Sequence, residues 1–161
     1  MSLERMGRCA RLAWDHAVEK HRTAEVPRPA VTTAHILLGV LKETDCAGGL
    51  ILGKIPLDLK LALGVTEFML LHSRPRPDAD RTVVELGGVP HTVAAAQTVE
   101  LSVEEANLYS QTYPIGTEHL LLAVLRLPDS LGCRILNYLG IYESLARHTR
   151  DDMWTLLRSS E

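Results

Sequence analysis

The sequence predicts an all-α fold built from two tandem repeats of about four helices each, related by a pseudo-two-fold axis. Three observations carry that prediction. The chain contains one motif twice, Thr-Ala-His-Ile-Leu-Leu-Gly-Val-Leu-Lys from Thr33 to Lys42 and Thr-Glu-His-Leu-Leu-Leu-Ala-Val-Leu-Arg from Thr117 to Arg126. The match runs on without a gap at a shift of 84, with Asp45 on Asp129, Gly48 on Gly132, Ile51 on Ile135 and Ala62 on Ala146, so an internal duplication fixes the architecture. Apolar residues make up 46% of the chain but aromatics only 4%, a composition suited to closely packed helices of Leu, Ala, Val and Ile.

The elements follow in order. Leu3, Met6, Ala10, Ala13, Trp14 and Ala17 recur at spacings of three and four, which reads as an amphipathic first helix ending before Pro27 and Pro29. A second helix is expected from Thr33, with the Thr33 hydroxyl as its cap, to about Glu43. Gly48, Gly49 and Pro56 punctuate a short helix around Cys46 to Leu52 and another from about Leu57 to Leu71. From His72 to Val89 the character changes to an exposed connector holding one extended piece. The pattern then restarts with Val93, Ala96, Val99, Val103 and Ala106 on one helix and a start at Gly116-Thr117 for the next. A short helix near Leu131 to Tyr138, a stop at Gly140 and a last helix from about Tyr142 to Arg158 complete it. The expected organisation is one domain over 1–161, with repeat one at 1–71, the connector at 72–89 and repeat two at 90–161. The first repeat has a longer loop between its first two helices, and Pro27 and Pro29 are expected to bulge at the surface there.

Bulk properties exclude several functions. A net charge of -3 and a pI near 6.2 argue against a nucleic-acid surface. No apolar run reaches the ~20 residues needed to cross a bilayer, and Met1 leads directly into an amphipathic pattern, so no membrane partner and a cytoplasmic setting are expected. A chloroplast stromal protein freed of its transit peptide reads the same way. Cys9, Cys46 and Cys133 are odd in number and far apart, and are expected as free thiols in a reducing compartment.

Candidate chemistry is sparse. His35 and His119 occupy equivalent places, but no second ligand shares their helical face, so they are expected to be structural, each bonding a loop carbonyl near its helix start. There is no Gly-x-Ser-x-Gly, no Cys/His pairing and no phosphate-loop spacing, so no catalytic residue, cofactor, metal or nucleotide is assigned. The neighbouring carboxylates Glu104-Glu105 and Asp151-Asp152 are expected on solvated faces.

The stretch from Gly116 to Arg126, continuing through Gly132-Cys133-Arg134-Ile135-Leu136-Asn137-Tyr138-Leu139-Gly140-Ile141, resembles the repeat motif of Clp amino-terminal domains. These stand at the front of ClpA-, ClpB- and ClpC-type AAA+ unfoldases. Thr98 to Ala106 is similar to the helix before that motif, and the first half repeats the pattern more loosely, so the resemblance covers nearly the whole chain. It implies a non-enzymatic module that binds protein substrates or the ATPase and peptidase subunits of a Clp machine. The 161 residues hold no Walker motif and are not expected to hydrolyse ATP. Two readings stay open, a stand-alone adaptor or accessory factor and the substrate-recognition domain of a longer unfoldase.

The resemblance also implies a site. In ClpC-type relatives the Glu of Gly-Thr-Glu-His contributes to recognition of phosphorylated arginine, once per repeat. The second repeat here keeps Glu118, whereas the first has Ala34, with Thr32 in place of the Gly. The expected partner-binding residues are therefore Glu118, Thr117 and Thr33, beside a groove between the repeats. Glu118 also has a simpler reading, since an acid in a helix's first turn stabilises the helix dipole by ~0.3–1 kcal/mol. At the start of repeat two, His91 to Ala96 replace the basic residues common in the family, a change expected to alter which partner is recognised.

Overall fold

In a computed structural model, which describes residues 2–74 and 83–159, the repeat becomes a pair of four-helix units. A 3-10 turn, Ser2–Arg5, leads into α1 (Arg8–Arg22), α2 (Thr33–Lys42), α3 (Ala47–Lys54) and α4 (Leu59–His72). A hairpin of β1 (Val83–Leu86) and β2 (Val89–Thr92) follows. Repeat two then runs α5 (Val93–Asn107), α6 (Thr117–Leu125), α7 (Leu131–Tyr138) and α8 (Glu143–Ser159). The all-α expectation holds, with each helix of one repeat matched by a helix of the other.

The two copies of the duplicated motif form the centre. Every residue of α2 from Thr33 to Leu41, and all of α6, is buried, because each helix is enclosed both by its own repeat and by the other. α1 packs on α2 and α5 on α6, while α2 packs across the repeat boundary on α7 and α3 on α6. Deeply buried Leu37, Leu41, Ile51, Leu121, Leu122 and Ile135 belong to one continuous core.

Reciprocal polar contacts set the register between repeats. The Thr33 hydroxyl accepts from the Gly132 amide at 2.8 Å, and Thr117 accepts from the Gly48 amide at 2.8 Å. Thr33 is therefore not the cap that the sequence led us to expect; Thr32 occupies that place and the Thr33 side chain reaches into the other repeat. The approach is too close for a side chain. A Cβ on Gly48 would lie 2.8 Å from the Thr117 carbonyl oxygen, and one on Gly132 would lie 2.8 Å from that of Thr33. Backbone bridges repeat the exchange, pairing Met6 with Ile115 and His91 with Val31.

Most of the described residues of the connector are exposed, while Leu86 and Val89 are buried. At the start of repeat two His91 and Thr92 are buried: His91 stacks on Trp14 with ring centroids 5.0 Å apart, and the Thr92 hydroxyl caps α5 by accepting from the Ala95 amide. The sequence allowed one extended piece; the structure has two, paired antiparallel from Val83–Thr92 to Leu86–Val89 around Gly87 and Gly88, whose positive φ values of 57° and 76° suit glycine. The Pro75-Arg76-Pro77-Asp78 part of the connector lies outside the described residues.

The long loop before α2 stays at the surface but does more than bulge. Arg28 donates to the carbonyls of Leu70 and Ser73 at 2.8 and 2.9 Å, closing the carboxyl end of α4. The cysteine expectation is overturned in part. Cys9 on α1 is bonded to Cys46 at the amino end of α3, and only Cys133 is a free, buried thiol. Thirty-seven residues of sequence hid an approach of 6.0 Å between their Cα atoms, produced by the packing of α1 on α2.

Candidate functional site

Each histidine of the duplicated motif accepts at Nδ1 from the amide preceding its helix, Thr32 to His35 at 3.0 Å and Gly116 to His119 at 2.8 Å. The partner of each ring is an N–H and not the expected loop carbonyl. That geometry requires the neutral ring, with Nδ1 bare. Burial pushes His35 down to about 3, helped by nearby His21, Arg28 and Lys20, and burial pushes His119 down to about 4. The edge of His119 faces the rings of Tyr109 and Tyr113, with centroids 5.9 and 5.8 Å away.

Glu118 lies in the first turn of α6, as expected, but its carboxylate is turned inward. It is 5% exposed and folds back onto its own amide, over Gly116. A Cβ at position 116 would collide with that carboxylate, which explains why Gly goes with Glu in the second repeat whereas Thr32 goes with Ala34 in the first. Burial raises the Glu118 pKa, and the Arg150 guanidinium offsets part of that rise. A small cleft of about 100 Å³ opens beside it between α3 and α8, lined by Leu50, Ile51, Glu118, Arg150, Met153 and Trp154. Thr117 and Thr33, the other two expected binding residues, are buried with their hydroxyls committed to the opposite repeat, so they face each other's repeats and not solvent.

The pseudo-two-fold generates a second cleft between α4 and α7, and here the repeats part company. It is an open groove of about 630 Å³, lined by Leu61, Val65, Phe68, Arg134, Ile135 and Tyr138 among others. Phe68 is 59% exposed and Tyr138 82%, a large apolar surface for a chain with a single phenylalanine. At the shift of 84, Arg150 corresponds to Thr66 and Glu118 to Ala34, so the internal acid and base of the α3–α8 cleft are absent together from the α4–α7 groove. Arg134 conversely stands where the other cleft has Leu50.

A groove between the repeats is expected from the sequence, but Phe68, Arg134, Tyr138 and Arg150 are not among the binding residues expected there. The signal was the difference between the two halves at the 84-residue shift, whereas the reading weighed their identities. Glu105 was also placed on a solvated face. It is 2% exposed and bridges Arg126 at 3.1 Å and Arg147 at 2.7 Å, while adjacent Glu104 does lie outside. Among the described residues, no helix is long and apolar enough to cross a membrane, and no three His, Cys, Asp or Glu side chains gather as a metal site.

Comparison with known proteins agrees with this architecture. The chain is 27% identical over 132 residues to the chaperone protein ClpB of Oceanobacillus iheyensis, covering 81% of this chain and 15% of that protein. It is 34% identical over 110 residues to a chloroplastic Clp protease ATP-binding subunit ClpA homologue of Brassica napus, covering 68% of this chain and 12% of that one. The chain thus spans less than a fifth of the length of these relatives. Among solved structures, the amino-terminal domain of the ClpD chaperone from Arabidopsis thaliana superposes with a TM-score of 0.70 at 18% identity, over 96% of this chain and 97% of that domain. No protein-family model matches the chain.

Proposed function

The chain belongs to the Clp amino-terminal domain family, and on that premise we propose that it is a non-catalytic protein-binding module serving a Clp-type ATP-dependent unfoldase or protease, as an adaptor or accessory factor. The observation that carries the proposal is the α4–α7 groove. An apolar concavity of this size, rimmed by charge and formed by both repeats, suits an aliphatic or aromatic anchor from another chain. The relatives include bacterial and chloroplastic Clp proteins, which supports work in the cytoplasm or the stroma.

A second reading is supported by the small share of each relative that the chain spans, 15% and 12%: a substrate-recognition domain preceding ATPase modules. Affinity capture from the source lysate, with and without ATP and followed by mass spectrometry, separates the two. Stoichiometric recovery of a separate Clp ATPase or peptidase, lost in Phe68→Ser, fits the adaptor; recovery of substrate proteins alone fits the recognition domain. Recovery of neither by the folded protein would sink the protein-binding reading.

A further inference from the structure

The two pseudo-equivalent clefts differ in charge as well as in size, and that difference indicates what the larger one takes. In the α3–α8 cleft the fold supplies its own acid and base, Glu118 and Arg150, which partly neutralise one another. In the α4–α7 groove both are replaced, by Ala34 and Thr66, and the Thr66 hydroxyl is spent on the Ala62 carbonyl at 2.7 Å.

Arg134 on α7 lines this groove, and its Nε and Nη2 atoms are shielded from solvent while finding no acceptor among the described residues. Lys60 stands at the rim, and no carboxylate is among the described lining residues. A guanidinium cannot shed its proton, so Arg134 holds a fixed positive charge on this apolar wall, and with no described lining carboxylate to balance it the groove favours an anion at the unshielded Nη1. The surrounding surface of Leu61, Val65, Phe68 and Ile135 requires that the anion arrive on an apolar carrier.

We propose that the α4–α7 groove binds an acidic amphipathic peptide segment, whose apolar side chains cover Phe68 and Leu61 and whose carboxylate is received by the Arg134 guanidinium at Nη1, the one of its nitrogens not shielded from solvent. This rests on the protein-binding reading above and gives that site its partner chemistry. A membrane surface is the poorer occupant, because the site is a concave groove with two cationic side chains on a chain of net charge -3.

The test uses three fluorescent twelve-residue peptides with the same apolar anchors and a single central Glu, Gln or Lys, titrated by anisotropy against the full chain. The Glu peptide is expected to bind about tenfold tighter than the Lys peptide. That preference should shrink in Arg134→Lys, vanish in Arg134→Leu, and weaken with added salt. Phe68→Ser, checked for folding by circular dichroism, should weaken all three peptides. Equal binding of the three by the wild type, with loss in Phe68→Ser, overturns the carboxylate proposal and leaves the protein-binding reading standing. No binding by any peptide, or binding indifferent to Phe68→Ser, overturns both. Recruitment to phosphatidylglycerol vesicles in an Arg134-dependent manner, without peptide binding, overturns the proposal in favour of lipid.

Discussion

The Thr33 hydroxyl and the Gly132 amide, 99 residues apart, meet at 2.8 Å, and Thr117 with Gly48 forms the same bond in the reverse sense. The two repeats are thus joined by an exchange: each motif's first helical residue satisfies the first turn of the other repeat's short helix, where the amide has no partner within its own helix. Apolar burial drives the repeats together without choosing an angle, whereas these directional bonds and the missing Cβ atoms fix one.

Thr33→Val and Thr117→Val should each destabilise the protein by about 1–3 kcal/mol, since the methyl fills the space but leaves a buried amide without an acceptor. Gly132→Ala should cost a similar amount by pushing α7 away from α2. Urea denaturation measures both, and a loss under about 0.3 kcal/mol for Thr33→Val would contradict the exchange.

The disulfide predicts an oxidation-dependent stability. Cys46 corresponds to Ser130, whose hydroxyl caps α7 by accepting from the Cys133 amide at 3.3 Å, whereas α3 has no side-chain cap. Reduction, or Cys9→Ser, should cost about 2–4 kcal/mol. Cys46→Ser should cost less, because it restores the cap seen in the other repeat, worth about 1 kcal/mol. Denaturation with and without a dithiol reductant ranks the three, and insensitivity of the wild type to reduction would remove the disulfide from the account.

Stability should also fall as the solution is acidified below the ordinary histidine pKa. His35 and His119 titrate near 3 and 4 in the folded protein and near 6.5 when unfolded, so between these limits the unfolded chain binds more protons. Their contribution is complete above about pH 6.5 and is lost as pH drops toward 4 and then 3, at about 1.4 kcal/mol per pH unit for each ring. Glu118, with its raised pKa, acts in the opposite sense. His119→Asn, whose amide oxygen can accept from Gly116, should flatten the slope between pH 7 and pH 5; an unchanged slope would contradict a neutral buried ring.

Glu105 ties α5 to α6 and α8 through Arg126 and Arg147, and its carboxyl is held below the usual range by hydrogen bonds and charge from those two, against its own burial. Glu105→Ala should cost about 2 kcal/mol, less than a fully buried pair because the two guanidinium groups are 31% and 28% exposed. Leu121→Asp, which places an unpaired charge in the core, should unfold the second repeat. Thermal unfolding followed by circular dichroism reads both, and a Leu121→Asp protein with unchanged melting would contradict the position of α6.

The fold was legible because its elements repeat. Periodic apolar residues and the glycines at 48 and 132 place every helix within a few residues, and the range Leu131–Tyr138 matches outright. The features that escaped all depend on distance in space. Nothing local marks Cys9 as the partner of Cys46, or Thr33 as a donor's target in the other repeat. The burial of His91 beside Trp14 and Val31 likewise comes from tertiary packing and has no local mark in the sequence. For the site, an acid in a first turn is visible in the sequence, but its inward turn over Gly116 is not. The open groove arises from what the first repeat lacks, Ala34 and Thr66 in place of Glu118 and Arg150, and such absences become readable only when the halves are superposed.

The most direct test of the account is amide hydrogen exchange on the folded chain with and without a permanently unfolded carrier protein, such as reduced carboxymethylated α-lactalbumin. Protein binding through the inter-repeat groove predicts slowed exchange concentrated in residues 61–69 of α4 and 134–138 of α7, abolished by Phe68→Ser. Slowed exchange confined to another face, or no change at saturating carrier, would contradict it.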